Sequence, residues 1–155
     1  MSIQAFEKLV QAFPDWDRLA EAPHEDIEAA IASFTCAERK APYLRAALQM
    51  IRARAERIDL EFLGEWPVPL GMRWLQTLPG AGPKIAAATL NLSTLRKRAF
   101  VVDTHVLRIL QRFGFVSHSA YFAATCEAVM AALPDFDAAD FYEFHWLLKS
   151  LGQIV

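Results

Sequence analysis

Leu78-Pro-Gly-Ala-Gly-Pro-Lys84 is the stretch that decides the fold, because it separates two segments of helical spacing with two glycines one residue apart. Glycine is favoured where the backbone takes a positive φ or must approach another molecule closely. Ahead of a helix start, such a loop leaves backbone N–H groups pointing outward, where they bind anions such as phosphate. A tight corner between two helices, without a ligand, fits the spacing equally well. The stretch predicts two helices joined by a hairpin over about residues 71–92.

Helical spacing extends over almost the whole chain on both sides of the hairpin. Apolar residues recur at helical intervals from Ile3 to Phe13, and Pro14 ends that helix. Pro42 suits the first turn of another helix, where its missing N–H costs nothing, and Asp59–Pro69 is predicted to be a loop. Further helices are predicted over residues 24–33, 70–77, 84–92, 103–113, 120–133 and 138–151. No convincing strand alternates with period two, so we predict an all-α fold, a multi-helix orthogonal array in one domain over residues 1–155.

The composition excludes several classes of protein. Of 155 residues, 54% are hydrophobic and the net charge is only −2, which excludes a disordered chain. The 6 glycines and 8 prolines follow no period, which excludes a collagen-like chain. No stretch of about 18 uncharged apolar residues is present to span a bilayer. The sequence therefore indicates a globular domain with no membrane segment.

Cysteine and histidine positions indicate no metal site. Cys36 and Cys126 are too few for a disulfide framework or a four-thiolate site. His105 and His145 are not spaced as metal ligands with either cysteine, so we predict that they are structural histidines. Two unpaired cysteines also suggest a reducing compartment, and we predict a cytoplasmic protein.

The charge pattern is basic only locally. A net charge of −2 does not favour nucleic-acid binding, because domains with that function are usually basic. Three cations nevertheless run together at Arg96, Lys97 and Arg98, and Arg108 and Arg112 follow. The overall charge is therefore a weak argument against a nucleic-acid partner.

Two ionisable residues near the hairpin are candidates for chemistry. Lys84 lies in the first turn of a predicted helix, where it can contact a phosphate or act as an amine nucleophile. A solvated surface lysine fits the position as well. Asp103 directly precedes the helix that begins at Thr104, so that its side chain can cap the first turn. The same carboxylate, held in place, could stabilise a developing cation.

The order of these residues resembles the helix-hairpin-helix glycosylases of the endonuclease III superfamily. Asp103 follows Lys84 by nineteen residues, and the resemblance covers most of the chain from about Ala20. The segments that carry it are Leu78–Ala86, Val102–Val106, Lys40-Ala41 with Leu44, and Phe144–Leu147. The hairpin together with the aspartate segment is the specific part of the pattern.

The resemblance implies base-excision DNA repair by a glycosylase that also has abasic-site (β-elimination) lyase activity. Such an enzyme flips a damaged base out of the duplex into a pocket. Lys84 matches the family lysine that attacks the sugar C1′, and Asp103 matches the aspartate that supports the oxocarbenium-like transition state. The implied partner is double-stranded DNA containing a damaged base or an abasic site. The residues implied to hold its phosphates are Leu78, Gly80, Ala81, Gly82 and Lys84.

Two segments of the family pattern are not found in this sequence. Many members continue into four cysteines that hold an iron–sulfur cluster, and without them we expect no cofactor. The family also begins with a helix that has no counterpart here, and we expect its absence to expose an apolar face. Because exposed apolar patches usually mark interfaces, we predict a homodimer. The alternative is a monomer in which the segment from Ile3 to Phe13 shifts to fill the gap and reshapes the pocket. The candidate residues of that face are Ile85, Ala88, Thr89, Val106, Leu107 and Leu110.

Other functions fit parts of the same sequence. A non-catalytic helix-hairpin-helix module would bind DNA without a working pocket, and a monofunctional alkylated-base glycosylase would lack the lyase step. A structural helical protein would use the hairpin only as a corner. The pair of Lys84 and Asp103 favours the bifunctional glycosylase, because monofunctional members usually lack that lysine.

Overall fold

Residues 3–154 are the part of the chain that the computed structural model describes. They form nine α-helices and one 3-10 helix, with no strand in this range, which confirms the predicted all-α fold. None of these helices is both long and apolar enough to cross a membrane. The helices are α1 (Ile3–Ala12), α2 (Trp16–Glu21), α3 (His24–Ala30), α4 (Ala37–Ala55), α5 (Val68–Leu75), α6 (Pro83–Leu92), α7 (Thr104–Arg112), α8 (Phe122–Ala132) and α9 (Ala138–Ile154).

The chain divides into two compact units by its contacts. Unit 1 contains the residues up to Phe62 together with Thr77–Gly80, and unit 2 contains Leu63–Gln76 together with the residues from Ala81 onward. The 3-10 helix, Glu61–Glu65, lies in the segment that the sequence predicted to be a loop. That the chain is a single domain over residues 1–155 stays a prediction.

Unit 1 is built from α1 to α4. The Asp15 carboxylate accepts the N–H of Arg18 at 2.7 Å and so caps α2. The prediction that Pro42 lies in the first turn of its helix is wrong, because α4 begins at Ala37. Both Ala37 and Ala41 are buried in the core of unit 1. Their burial favours a helix that starts before Pro42, and it offsets the loss of the one hydrogen bond that the proline cannot donate.

Unit 2 contains the hairpin helices and the helices that follow them. α5 and α6 approach closely, since a Cβ added at Gly71 would lie 3.3 Å from Leu90 Cδ2. After α6, the extended segment Ala99–Val102 is buried. Its Phe100 and Val102 side chains pack in one core with residues of α7, α8 and α9, namely Val106, Ile109, Leu110, Val129, Phe141 and Leu148. This core fixes the place at which α7 begins.

The predicted exposed face on α6 and α7 is mostly not exposed. Val106 is 0% exposed and Leu110 is 4% exposed, because α7 turns both side chains into the core that it shares with α8 and α9. Ala88, Thr89 and Leu107 are half-buried. Among the predicted residues only Ile85 is exposed, at 51%.

Candidate active site

The two hairpin glycines have different roles. Gly80 has a φ of +78°, a left-handed conformation that other residues rarely adopt. Gly82 has a φ of −86°, which any residue can adopt, and nothing lies within 4 Å of the position of its missing Cβ. Gly80 therefore shapes the loop, whereas Gly82 leaves the backbone open to another molecule. Leu78 is buried and Ala81 is half-buried, so Leu78 could meet a ligand only through its backbone.

The N-terminus of α6 offers free amides beside an exposed lysine. Gly82 is the N-cap residue, and no side chain caps this helix. Pro83 has no N–H, so the free amides of the first turn are those of Lys84 and Ile85. The exposed Lys84 ammonium forms no ion pair within residues 3–154. Amides and a cation in this arrangement can hold an anion.

Asp103 caps α7, as the sequence predicted. Its Oδ1 accepts the N–H groups of His105 and Val106, both at 2.9 Å. The side chain is only 4% exposed, and Oδ2 makes no hydrogen bond within the described part of the chain. The carboxylate is thus held in one orientation with one oxygen available for another contact.

The charges of both candidate residues affect the pKa of a buried histidine. His145 is 2% exposed, and its Nδ1 lies 2.8 Å from the Val101 carbonyl oxygen. Burial lowers the pKa of His145; the Val101 hydrogen bond and the charge of Asp103 oppose this shift, whereas the charges of Lys149 and Lys84 add to it. Lys84 and Asp103 both lie in unit 2, at the starts of α6 and α7. The sequence predicted that His145 is a structural histidine, but it carried no signal that the side chain contacts Val101.

α9 also holds the first turn of α7. The Gly152 carbonyl oxygen lies 3.0 Å from His105 Nδ1 and accepts a further hydrogen bond from Arg108 Nη2. A Cβ added at Gly152 would lie 2.8 Å from His105 Cβ, so the approach requires glycine. Contacts from α9 therefore hold the chain on both sides of Asp103. His145 contacts Val101, two residues before it, and Gly152 contacts His105, two residues after it.

A cavity of about 390 Å³ adjoins Lys84 within unit 2. Its walls come from α5, α6, α8 and the extended segment, and they include Met72, Phe100 and Met130. The volume lies in the range of small-molecule sites, which are mostly apolar with few polar groups. Asp103 does not line this cavity, so the cavity does not itself bring the two candidate residues together.

The residues present do not fit an iron–sulfur cluster. Such clusters take four thiolates as a rule, and the chain has two cysteines, Cys36 in unit 1 and Cys126 in unit 2. Burial raises the pKa of the Cys126 thiol, which donates to the Phe100 carbonyl at 3.3 Å. Among residues 3–154, no three His, Cys, Asp or Glu side chains are grouped as a metal ion would require.

The sequence is similar to a protein family and to curated proteins. The family model described as HhH-GPD superfamily base excision DNA repair protein matches residues 2–136. A presumed DNA glycosylase of Arabidopsis thaliana is 31% identical over 134 residues, which are 86% of this chain and 45% of the plant protein. Endonuclease III of Synechocystis sp. is 36% identical over 106 residues, which are 68% of this chain and 44% of that protein. The chain therefore spans less than half the length of either relative.

A solved structure has the same fold. The structure of a trapped endonuclease III–DNA covalent intermediate matches with a TM-score of 0.74 and 21% identity, over 94% of this chain and 62% of that one. At this identity the likeness shows the fold alone. The resemblance found in the sequence is confirmed by the family match over residues 2–136, and the chain belongs to the HhH-GPD superfamily of base excision DNA repair proteins.

Proposed function

We propose that the protein is a base-excision DNA glycosylase with abasic-site lyase activity, acting on double-stranded DNA. The observation that carries the proposal is that an exposed lysine and a carboxylate fixed by two backbone N–H groups both stand at helix starts of unit 2, Lys84 on α6 and Asp103 before α7. An exposed amine and an oriented carboxylate are the two groups that this reaction needs. The relatives named as a DNA glycosylase and as endonuclease III support the same class of reaction.

In the proposed first step, the neutral amine of Lys84 attacks C1′ of the damaged nucleotide. As the Nζ–C1′ bond forms, the bond from C1′ to the base breaks, and the base leaves with the electron pair and takes up a proton. The charge of Asp103 stabilises the cationic character that develops at C1′. The nitrogen then loses a proton, and its lone pair forms the C1′=N bond as the C1′–O4′ bond breaks. O4′ leaves with the bonding electron pair and takes up a proton, which gives a protonated Schiff base between Lys84 and the opened sugar.

The Schiff base makes the lyase step possible. It acidifies the C2′ proton, whose removal expels the 3′ phosphate by β-elimination. Water then hydrolyses the imine and releases the Lys84 amine. The covalent route replaces one difficult hydrolysis with several easier steps.

The hairpin is proposed to hold the DNA backbone. The free amides of Lys84 and Ile85 can bind one phosphate at the N-terminus of α6, and the open space at Gly82 allows the backbone to approach. Contacts of this kind position the duplex but carry no base preference. We therefore expect binding to be independent of sequence and sensitive to salt.

Borohydride trapping on duplex DNA that contains an abasic site tests the proposal, because hydride reduces the Schiff base to a stable amine. We expect a covalent protein–DNA adduct that disappears in Lys84→Ala and persists in Lys40→Ala, which changes another exposed helical lysine. An adduct that survives Lys84→Ala would refute the role of Lys84. DNA binding without any adduct would favour the non-catalytic module.

Three other predictions accompany the proposal. The reaction uses an amine and a carboxylate, so we propose no cofactor. Self-association now depends on Ile85 as the exposed residue of the predicted face, and a single 17.4 kDa species in sedimentation at micromolar concentration would refute it. A cytoplasmic location also stays a prediction.

A further inference from the structure

Arg96 and three side chains on one face of α9 form a row of cation–ring and ring–ring contacts. The guanidinium carbon of Arg96 lies 4.4 Å from the centroid of the Tyr142 ring. The ring centroids of Tyr142 and Trp146 are 6.3 Å apart in an edge-to-face arrangement. The Nζ atom of Lys149 lies 4.3 Å from the Trp146 ring centroid. We call these four residues the α9 ladder.

The ladder is accessible and positively charged at both ends. Tyr142, Trp146 and Lys149 are spaced i, i+4 and i+7 and so share one helix face, and Trp146 is 41% exposed. Neither cation forms an ion pair within the part of the chain that the structure describes. Asp137 lines a shallow cavity with Arg96, but its Oδ1 is occupied by two backbone N–H groups in the first turn of α9. The ladder therefore offers two cations to a ligand.

The Lys149 end of the ladder adjoins the proposed active site. The Trp146 ring lies 5.5 Å from the His145 ring, centroid to centroid. The charges of Lys149, Lys84 and Asp103 in turn affect the pKa of His145. The Trp146 ring of the ladder therefore packs beside the histidine that contacts the Val101 carbonyl, two residues before Asp103.

The Arg96 end is held in an unusual backbone conformation. Arg96 has a φ of +44°, in the left-handed region that residues other than glycine seldom occupy. Such conformations persist where the surrounding structure holds them, often at functional positions. The stacking on Tyr142 keeps the guanidinium at the end of the ladder.

We propose that the α9 ladder is a second DNA contact, in which Arg96 and Lys149 each hold a phosphate of the strand that flanks the reacting nucleotide. The Trp146 ring packs against one of the sugars between these phosphates. The proposal rests on DNA being the substrate, as stated above. In a chain with a net charge of −2, cations that form no ion pair within the described residues are the groups that can attract a polyanion.

The length of the ladder fits two phosphate contacts. The helix rises about 10 Å from Tyr142 to Lys149 at 1.5 Å per residue. Each DNA strand carries one phosphate per about 3.4 Å of axis, so this rise corresponds to about three base steps when α9 runs parallel to the DNA axis. Each phosphate contact contributes about 0.9 to the slope of log affinity against log salt concentration.

The test measures that slope by fluorescence anisotropy on undamaged duplex DNA over about 50–200 mM salt. We expect Lys149→Ala and Arg96→Asn each to reduce the slope by about 0.9, and the double variant to reduce it by about twice as much. Asparagine is chosen because it tolerates the left-handed conformation at Arg96. Trp146→Leu should weaken binding without changing the slope, since it removes no charge.

Lys8→Ala is the matched control, because it makes the same change in net charge at an exposed position on α1. If Lys149→Ala and Arg96→Asn reduce the slope no more than Lys8→Ala does, the proposal that the α9 ladder contacts DNA is refuted. Trapping by the wild type separates the two proposals. Reduced slopes without a trapped adduct would support the ladder and refute the lyase, whereas trapping through Lys84 with unchanged slopes would refute the ladder alone. A wild type that binds no DNA would refute both.

Discussion

The contact between Gly152 and His105 predicts a large effect from one added methyl group. In Gly152→Ala, the new Cβ would lie 2.8 Å from His105 Cβ and 2.9 Å from the His105 carbonyl oxygen. Ordinary contact begins near 3.4 Å, so α7 and α9 must separate by about 0.6 Å. Overpacking of this kind costs about 1–3 kcal/mol. We therefore expect Tm to fall by roughly 2–4 °C for each kcal/mol lost.

The same displacement should slow the proposed chemistry. The His105 N–H is one of the two donors that orient Asp103, so a shift of the α7 start moves the carboxylate away from its working position. A misplacement of about 1 Å can cost about a hundredfold in rate. We expect adduct formation in borohydride trapping to slow by roughly ten- to a hundredfold.

Gly64→Ala is the control for this prediction. A Cβ at Gly64 would meet only Leu95 Cδ2, at 4.0 Å, which is an ordinary contact. Thermal unfolding and the rate of adduct formation are measured for both variants and the wild type. If Gly152→Ala matches Gly64→Ala in both measurements, the argument that α9 positions Asp103 is refuted.

Three further perturbations test other parts of the site. Asp103→Asn keeps an acceptor for the amides of α7, so Tm should stay close to that of the wild type while adduct formation slows by about a hundredfold; an unchanged rate would exclude a role for the charge. Gly82→Val should fold normally, because its φ of −86° suits valine and no atom lies within 4 Å of the added Cβ, yet it should weaken anisotropy-measured binding to every DNA sequence alike. Undiminished affinity would exclude backbone docking at that residue. Burial lowers the pKa of His145 from 6.5, so the unfolded chain binds the proton at a higher pH than the folded chain does. The free energy of unfolding, measured in urea, should therefore fall as the pH drops below 6.5. His145→Gln should flatten that profile, and parallel profiles for the two proteins would contradict the assignment.

Features that depend on a few neighbouring residues could be predicted from the sequence. The hairpin glycine with a positive φ, the proline at the start of α6 and the aspartate cap of α7 each act within about one turn of chain. Local residue patterns are therefore enough to place Lys84 and Asp103 at helix starts. Pro42 is the exception, because the burial of Ala37 and Ala41 in the core of unit 1 extends α4 beyond the local signal.

The tertiary structure alone decided which distant residues surround those helix starts. His145 reaches Val101 and His105 reaches the Gly152 carbonyl, across 44 and 47 positions of sequence. Val106 and Leu110 were predicted to be exposed because the leading helix of the family has no counterpart in this sequence, yet both are buried against residues of α8 and α9. Helical periodicity identifies an apolar face but not the face that packs against it. The α9 ladder has the same origin, since Arg96 joins Tyr142 only when α9 packs beside the segment that follows α6. Such contacts depend on how whole helices pack together, and no local pattern of residues encodes them.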